Sequence, residues 1–210
     1  MSTINHISFD LDGTLVDSVP IMQMAWDYSM AALNLNCQFS EYRKYLGIPF
    51  PLILDALGLS AYEKEIAELY FNQTRLLASE VKPFPGAYEV FDWATRKGLS
   101  TSIITAKPRR NAEDLIARLK LQVELLICGD DHVYGKPNAF VADALFAKFD
   151  ITPKQILYVG DMPVDYQFSL NVGMKFIFFD DLQRNKLPQN LVNEIDHISC
   201  LTELISFIGD

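Results

Sequence analysis

Four short polar clusters carry the side chains able to do chemistry: Asp10-Leu11-Asp12-Gly13-Thr14, Thr105, Gly135-Lys136-Pro137, and Gly160-Asp161 with Asp165 a helical turn further on. Clustered carboxylates such as Asp10, Asp161 and Asp165 favour a hard cation with oxygen ligands, Mg²⁺ foremost. Joined to an amine and a hydroxyl, they suit phosphoryl transfer. Attack of a carboxylate on a phosphate dianion is opposed by charge, so catalysis relies on positioning and on neutralising the phosphate oxygens. Lys136 and the cation would offset that charge, Thr105 would donate a hydrogen bond, and backbone N–H groups after Asp10, Leu11 among them, would add to the cradle. Taken singly, Asp12-Gly13-Thr14 reads as a turn, Asp161 as a helix cap and Lys136 as a solvated loop charge.

What joins the clusters is the pattern of elements that must position them. The run at 4–9 reads as a strand ending at Asp10, 101–104 as one ending at Thr105, and 156–159 as one ending at Gly160-Asp161. Lys136 comes after a strand at 123–128 and a loop, and 176–179 is a further strand. The runs at 156–159 and 176–179 are continuously apolar, as in parallel strands buried on both faces. Helices run between them, one through Val90, Phe91 and Ala94 closed by Gly98, one through Ala112, Leu115, Ile116 and Leu119, and one over about 139–148. Alternating strands and helices predict an α/β fold with a doubly wound parallel sheet, whose ligands bind outside the carboxyl ends of the strands. Between about Pro20 and Ser79 the pattern is helical throughout, with Trp26, Met30 and Leu33, then Ile66, Leu69, Tyr70 and Leu77, at helical spacing. The reading is a core of 1–16 plus 81–210 interrupted by a helical insert at 17–80, joined by two linkers that would let it open and close.

Composition narrows the partners. The 210 residues are half hydrophobic and carry a net charge of -9, against the basic face of a nucleic-acid binder or of a protein held on an anionic membrane. Three scattered cysteines, Cys37, Cys128 and Cys200, suggest neither a disulfide framework nor a zinc site. Reduced thiols and a start without a basic, apolar leader give a cytoplasmic expectation. An anionic small substrate stays open, met by local positive charge or a metal ion; with the phosphoryl-transfer residues above, the expected partner is a small phosphorylated metabolite, with a monomer or homodimer as the assembly.

The four clusters, in this order, resemble the four motifs of the haloacid dehalogenase superfamily. Asp10 to Ser18 looks like the first motif, Thr105 stands for the second, Gly135-Lys136-Pro137 for the third, and Gly160-Asp161-Met162-Pro163-Val164-Asp165 for the fourth. The resemblance implies a Rossmann-like core with an inserted α-helical cap domain. It also implies Asp10 as nucleophile and Asp12 as general acid and base, with Thr105 and Lys136 on the phosphoryl group. Mg²⁺ would be held by Asp10, the backbone carbonyl of Asp12 and Asp161, with Asp165 holding Lys136 or a metal-bound water. Ala106 stands where many relatives carry Asn and would offer its backbone N–H to the phosphate.

Val16-Asp17-Ser18, Pro85-Gly86 and Lys107-Pro108-Arg109 place the resemblance nearest phosphoglycolate phosphatase-like members. In the insert, Arg43 either reaches the substrate or pairs with Glu41 or a neighbouring acid; Lys107 either adds positive charge to the site or faces solvent. Tyr42, Tyr45, Phe50, Trp26 and Tyr28 read as core of the insert. The histidines are His6, His132 and His197, none of them in the insert, which weakens a sugar phosphomutase reading. A non-catalytic phosphate-binding or regulatory member is the other alternative, disfavoured by the presence of Asp10, Asp12 and Asp161.

Overall fold

The computed structural model describes residues 3–181 and 194–209; positions 1, 2, 182–193 and 210 of the expected core lie outside the described residues. Strand β1 (His6–Phe9) opens the chain, and β2 (Val16–Asp17) leads into α1 (Val19–Ala32), α2 (Phe39–Tyr42), α3 (Phe50–Ala56) and α4 (Glu63–Leu76). The return passes through β3 (Lys82–Pro83), which pairs antiparallel with β2, so the two linkers form one short ribbon. Then follow α5 (Ala87–Lys97), β4 (Ser100–Ile104), α6 (Arg109–Leu119) and β5 (Leu125–Ile127). The last elements are α7 (Asp143–Lys148), β6 (Ile156–Gly160), α8 (Pro163–Val172), β7 (Lys175–Phe179), β8 (His197–Ile198) and α9 (Glu203–Gly209).

Six strands make one parallel sheet in the order β5-β4-β1-β6-β7-β8. The chain leaves β1 to build β4 and β5 on one side, then crosses to build β6, β7 and β8 on the other. The reversal falls at β1, where a crevice opens at the carboxyl ends. Successive residues of a strand point to opposite faces. Thus Ile7, Phe9, Leu157 and Val159 pack with Val90, Trp93 and Leu115 on one side of the sheet. Ile156 and Tyr158 pack with Leu145 and Phe168 on the other. Burial on both faces is the reason these strands read as unbroken apolar runs.

Helices end where their chemistry stops them. Gly98, at φ 70°, closes α5 in the left-handed conformation, with Arg96 and Lys97 in the last turn beside the exposed carbonyls. The run at 139–148 begins as a tight 3-10 turn, Ala139–Ala142, because the Asn138 side chain accepts the Phe140 N–H and caps it; α7 starts only after that. Between β2 and β3 the helices gather around Trp26, Tyr42, Leu54, Ile66 and Tyr70. Trp26 stacks on Tyr42 with ring centroids 4.3 Å apart, and its indole N–H donates to the Cys37 carbonyl at 2.8 Å. Among the described residues no helix is long and apolar enough to cross a membrane.

Candidate active site

Three adjacent strands each deliver a polar side chain one residue beyond their ends: Asp10 after β1, Thr105 after β4 and Asp161 after β6. The ladder continues far enough to hold two of them. The Asp10 N–H donates to the Val159 carbonyl at 2.8 Å, and the Thr105 N–H to the Ile127 carbonyl at 2.9 Å. Pro163 starts α8, its fixed φ suiting the first turn. Asp165 then lies in that turn, one carboxylate oxygen accepting the Met162 N–H at 3.0 Å.

Lys136 ties these pieces together. Its Nζ donates to Asp10 Oδ1 at 2.7 Å, to Asp165 Oδ1 at 2.6 Å and to the Tyr158 hydroxyl at 3.1 Å. The Tyr158 hydroxyl in turn donates to Asp165 Oδ1 at 3.0 Å. All of these groups are buried, as is Asp161, which accepts from the Thr14 hydroxyl at 3.0 Å. Burial this deep penalises charge heavily unless it is paired.

The electrostatics are therefore unbalanced. Asp10, Asp161 and Asp165 each place a carboxylate oxygen within 4.8 Å of the others, and one buried ammonium serves the group. Burial, aided by the charges of Asp165 and Asp12, pushes the Asp10 carboxyl up to about 7 against the pull of Lys136. Burial and the charges of Asp10 and Asp165 hold Asp161 well above the usual carboxylate range. Burial works against the Lys136 charge, but Asp10 and Asp165 outweigh it and raise its pKa. A hard divalent cation fits this donor set. All the donors are oxygens, and its charge would relieve the repulsion that protonation otherwise relieves.

Asp12 is held from two sides. Ser18 donates to Oδ1 at 2.6 Å, and Lys107 Nζ lies 2.9 Å from Oδ2. Thr105 Oγ1 accepts the Lys107 N–H at 3.2 Å, a role that keeps its own O–H for donation. Asp10, Asp12, Thr105, Ala106, Lys107 and Asp161 line one cleft together with Tyr42, Phe50, Tyr70 and other residues of the helical segment. Leu11 is fully buried beside it. Arg43 is not among the lining residues, and Glu41 pairs with Lys44 at 2.7 Å. The acids near His132 serve the loop's packing: Asp131 accepts from the Arg109 guanidinium and from the Cys128 N–H.

Sequence reasoning missed Tyr158, Ser18 and Thr14. Tyr158 hides in an apolar strand, where its hydroxyl has no pattern of its own. Ser18 and Thr14 stand within the first motif, but only their folded position turns them toward Asp12 and Asp161. Gly13 carries a geometric signal: at φ 91°, a Cβ there would come within 2.4 Å of Asp161 Oδ2, so the turn needs glycine.

Comparison with known proteins agrees with this geometry. A family described as haloacid dehalogenase-like hydrolase matches residues 7–179. A Pseudomonas fluorescens protein named phosphoglycolate phosphatase is 30% identical over 183 residues, covering 81% of this chain and 67% of that protein. A Thermotoga maritima protein named phosphorylated carbohydrates phosphatase is 23% identical, covering 82% of this chain and 83% of that one. The crystal structure of a hydrolase from Pseudomonas syringae superposes with a TM-score of 0.85 at 22% identity, over 98% of both chains. With the strand order, the cluster at the carboxyl ends and the family match in agreement, the chain belongs to the haloacid dehalogenase-like hydrolase family.

Proposed function

We propose that this protein is a Mg²⁺-dependent phosphatase that hydrolyses a small phosphate monoester through an aspartyl-phosphate on Asp10. The observation that carries the reading is the buried bridge from Lys136 to both Asp10 and Asp165, beside Thr105 and Asp161 at one sheet edge. A carboxylate oxygen of Asp10 attacks phosphorus as the ester P–O bond breaks, and Asp12 gives a proton to the departing alkoxide. Asp12 then takes a proton from the water that attacks the aspartyl-phosphate, releasing inorganic phosphate and regenerating Asp10. Ser18 and Lys107 orient Asp12 for both steps. Lys136, the Thr105 hydroxyl and the backbone N–H groups of Leu11 and Ala106 hold the phosphoryl oxygens. Asp10, the backbone carbonyl of Asp12 and Asp161 would hold Mg²⁺, which supplies charge neutralisation at those oxygens, while Asp165 fixes Lys136.

The relatives named as phosphatases support this reaction, and the cleft between the sheet edge and segment 17–80 supports a capping role for that segment over a core of 1–16 and 81–210. Free Cys37, Cys128 and Cys200 support a cytoplasmic setting. The test is phosphate release from a panel of phosphate esters with Mg²⁺, with and without EDTA, alongside Asp10→Asn. Metal-dependent release that disappears in Asp10→Asn is the expected result. A folded, Mg²⁺-loaded protein that releases phosphate from no ester overturns the reading.

A further inference from the structure

Opposite Asp10 and Asp12, the helical segment contributes Val19, Met22, Leu46, Ile48, Phe50 and Phe71 to the cleft wall. Its side-chain hydroxyls there already take part in hydrogen bonds. Tyr42 and Tyr70 also line the cleft, and the Tyr42 hydroxyl donates to that of Tyr70 at 3.1 Å. Thr74 Oγ1 donates to the Phe71 carbonyl and accepts from the Asn111 side chain. Burial raises the pKa of both tyrosines, so neither brings a charge. Among the described lining residues Lys107 is the sole cation, and it comes from the core and pairs with Asp12 at 2.9 Å.

We propose that the ester cleaved here carries an apolar leaving group, an arylalkyl or branched alkyl alcohol, in preference to a carboxylate-bearing or sugar alcohol. The inference rests on the phosphatase reading of this cleft and narrows its substrate class. A carboxylate on the leaving group would shed its water against Ile48, Phe50 and Phe71 and find no cation on that wall, Lys107 across the cleft being paired with Asp12. Sugar hydroxyls would each lose a hydrogen bond to water, with the Tyr70 O–H in exchange, the one side-chain donor among the described residues of that wall. An apolar group loses nothing and gains contact, and in such a wall one methylene is worth roughly tenfold or more in kcat/KM.

The experiment uses the full chain loaded with Mg²⁺ and primary-alcohol esters, so that leaving-group chemistry does not set the order. We expect 2-phenylethyl and isoamyl phosphate to exceed glycerol 3-phosphate and 2-phosphoglycolate by about tenfold or more in kcat/KM. Equal or reversed rates overturn the inference and leave the phosphatase reading intact. Calorimetric binding of 2-phenylethylphosphonate against phosphonoacetate needs no turnover, so it decides the preference even if no ester is cleaved. Ile48→Arg places a cation in the wall. It is expected to reverse the order in both assays, and an unchanged order means that the leaving group lies elsewhere and overturns the assignment.

Discussion

Lys136 holds its charge in a buried site only because two carboxylates and a tyrosine hydroxyl surround it, and each partner can be removed separately. Tyr158→Phe deletes one hydroxyl without changing shape. It leaves Lys136 and Asp165 each short of a hydrogen bond, which costs about 1–3 kcal/mol in a buried site. Urea denaturation should register that loss, and wild-type stability in the variant would mean that the hydroxyl is energetically idle. Asp10 gives a second prediction. Its carboxyl is raised to about 7, so without metal it keeps its proton below that pH and loses it above. A cation must displace that proton, and the one burial favours on Asp161, so apparent Mg²⁺ affinity should climb by at least roughly tenfold per pH unit below about 7. Calorimetry in two buffers of different ionisation heat reads both the affinity and the proton released; a flat profile without release contradicts the assignment. The strand-end positions of Asp10, Thr105 and Asp161 were legible in the sequence because a strand and the residue after it form a local pattern. Tyr158 was not legible: a tyrosine among Ile, Leu and Val reads as packing until the partners of its hydroxyl are known.

Between β1 and β4 the sheet carries a polar seam on the face that is otherwise apolar. Ser8 Oγ lies 2.7 Å from Ser102 Oγ, and the His6 ring joins Ser102 at 2.8 Å to Ser100 at 2.6 Å. A neutral imidazole donates at one nitrogen and accepts at the other, so the seam is satisfied without charge. Burial accordingly lowers the His6 pKa from 6.5 to about 4. The folded state therefore binds this proton less well than the unfolded chain. The stability it contributes is complete above about pH 6.5 and drains away as pH falls toward 4, a loss on the order of 3 kcal/mol at the limit. His6→Gln should flatten that part of the acid profile in urea titrations; parallel profiles for the two proteins would exclude the seam as the cause. The elements themselves were legible where they are long or flanked by turns, as with β4, β6 and α5. The strand β8, His197–Ile198, was not, since two residues carry no alternation. Nor was the β2–β3 ribbon, whose residues read as linker and which exists only because the chain leaves and re-enters the core side by side.

Across the whole molecule, the helical segment meets the core at few but close points. Pro49 sits so near Gly135 that a Cβ on the glycine would lie 2.4 Å from Pro49 Cγ, and one on Gly47 would lie 2.6 Å from Val164 Cγ1. On the other side Asn111 of α6 donates to the Phe71 carbonyl and the Thr74 hydroxyl of α4. That the segment is helical and stands between two parts of the core could be read from its periodicity and its place in the chain. Which loop seats against which could not, because tight seating depends on small residues meeting across a distance of some ninety positions, as Pro49 and Gly135 do. These contacts make the seating testable. Gly135 has no left-handed backbone requirement, so Gly135→Val adds bulk against Pro49 without straining its own φ. The wedge should hold the helical segment away from Asp10 and Asp12, leaving the cleft open to water, while the sheet and its core remain packed. The expected signature is a larger radius of gyration by small-angle scattering, with denaturation within about 1 kcal/mol of wild type. Phosphate release should fall by about tenfold or more, chiefly for esters with large leaving groups, whose contacts lie on the displaced wall. Scattering unchanged alongside full activity would show that the Pro49 contact yields without moving the segment. Scattering unchanged with lost activity would instead trace the defect to Lys136, the next residue in the chain.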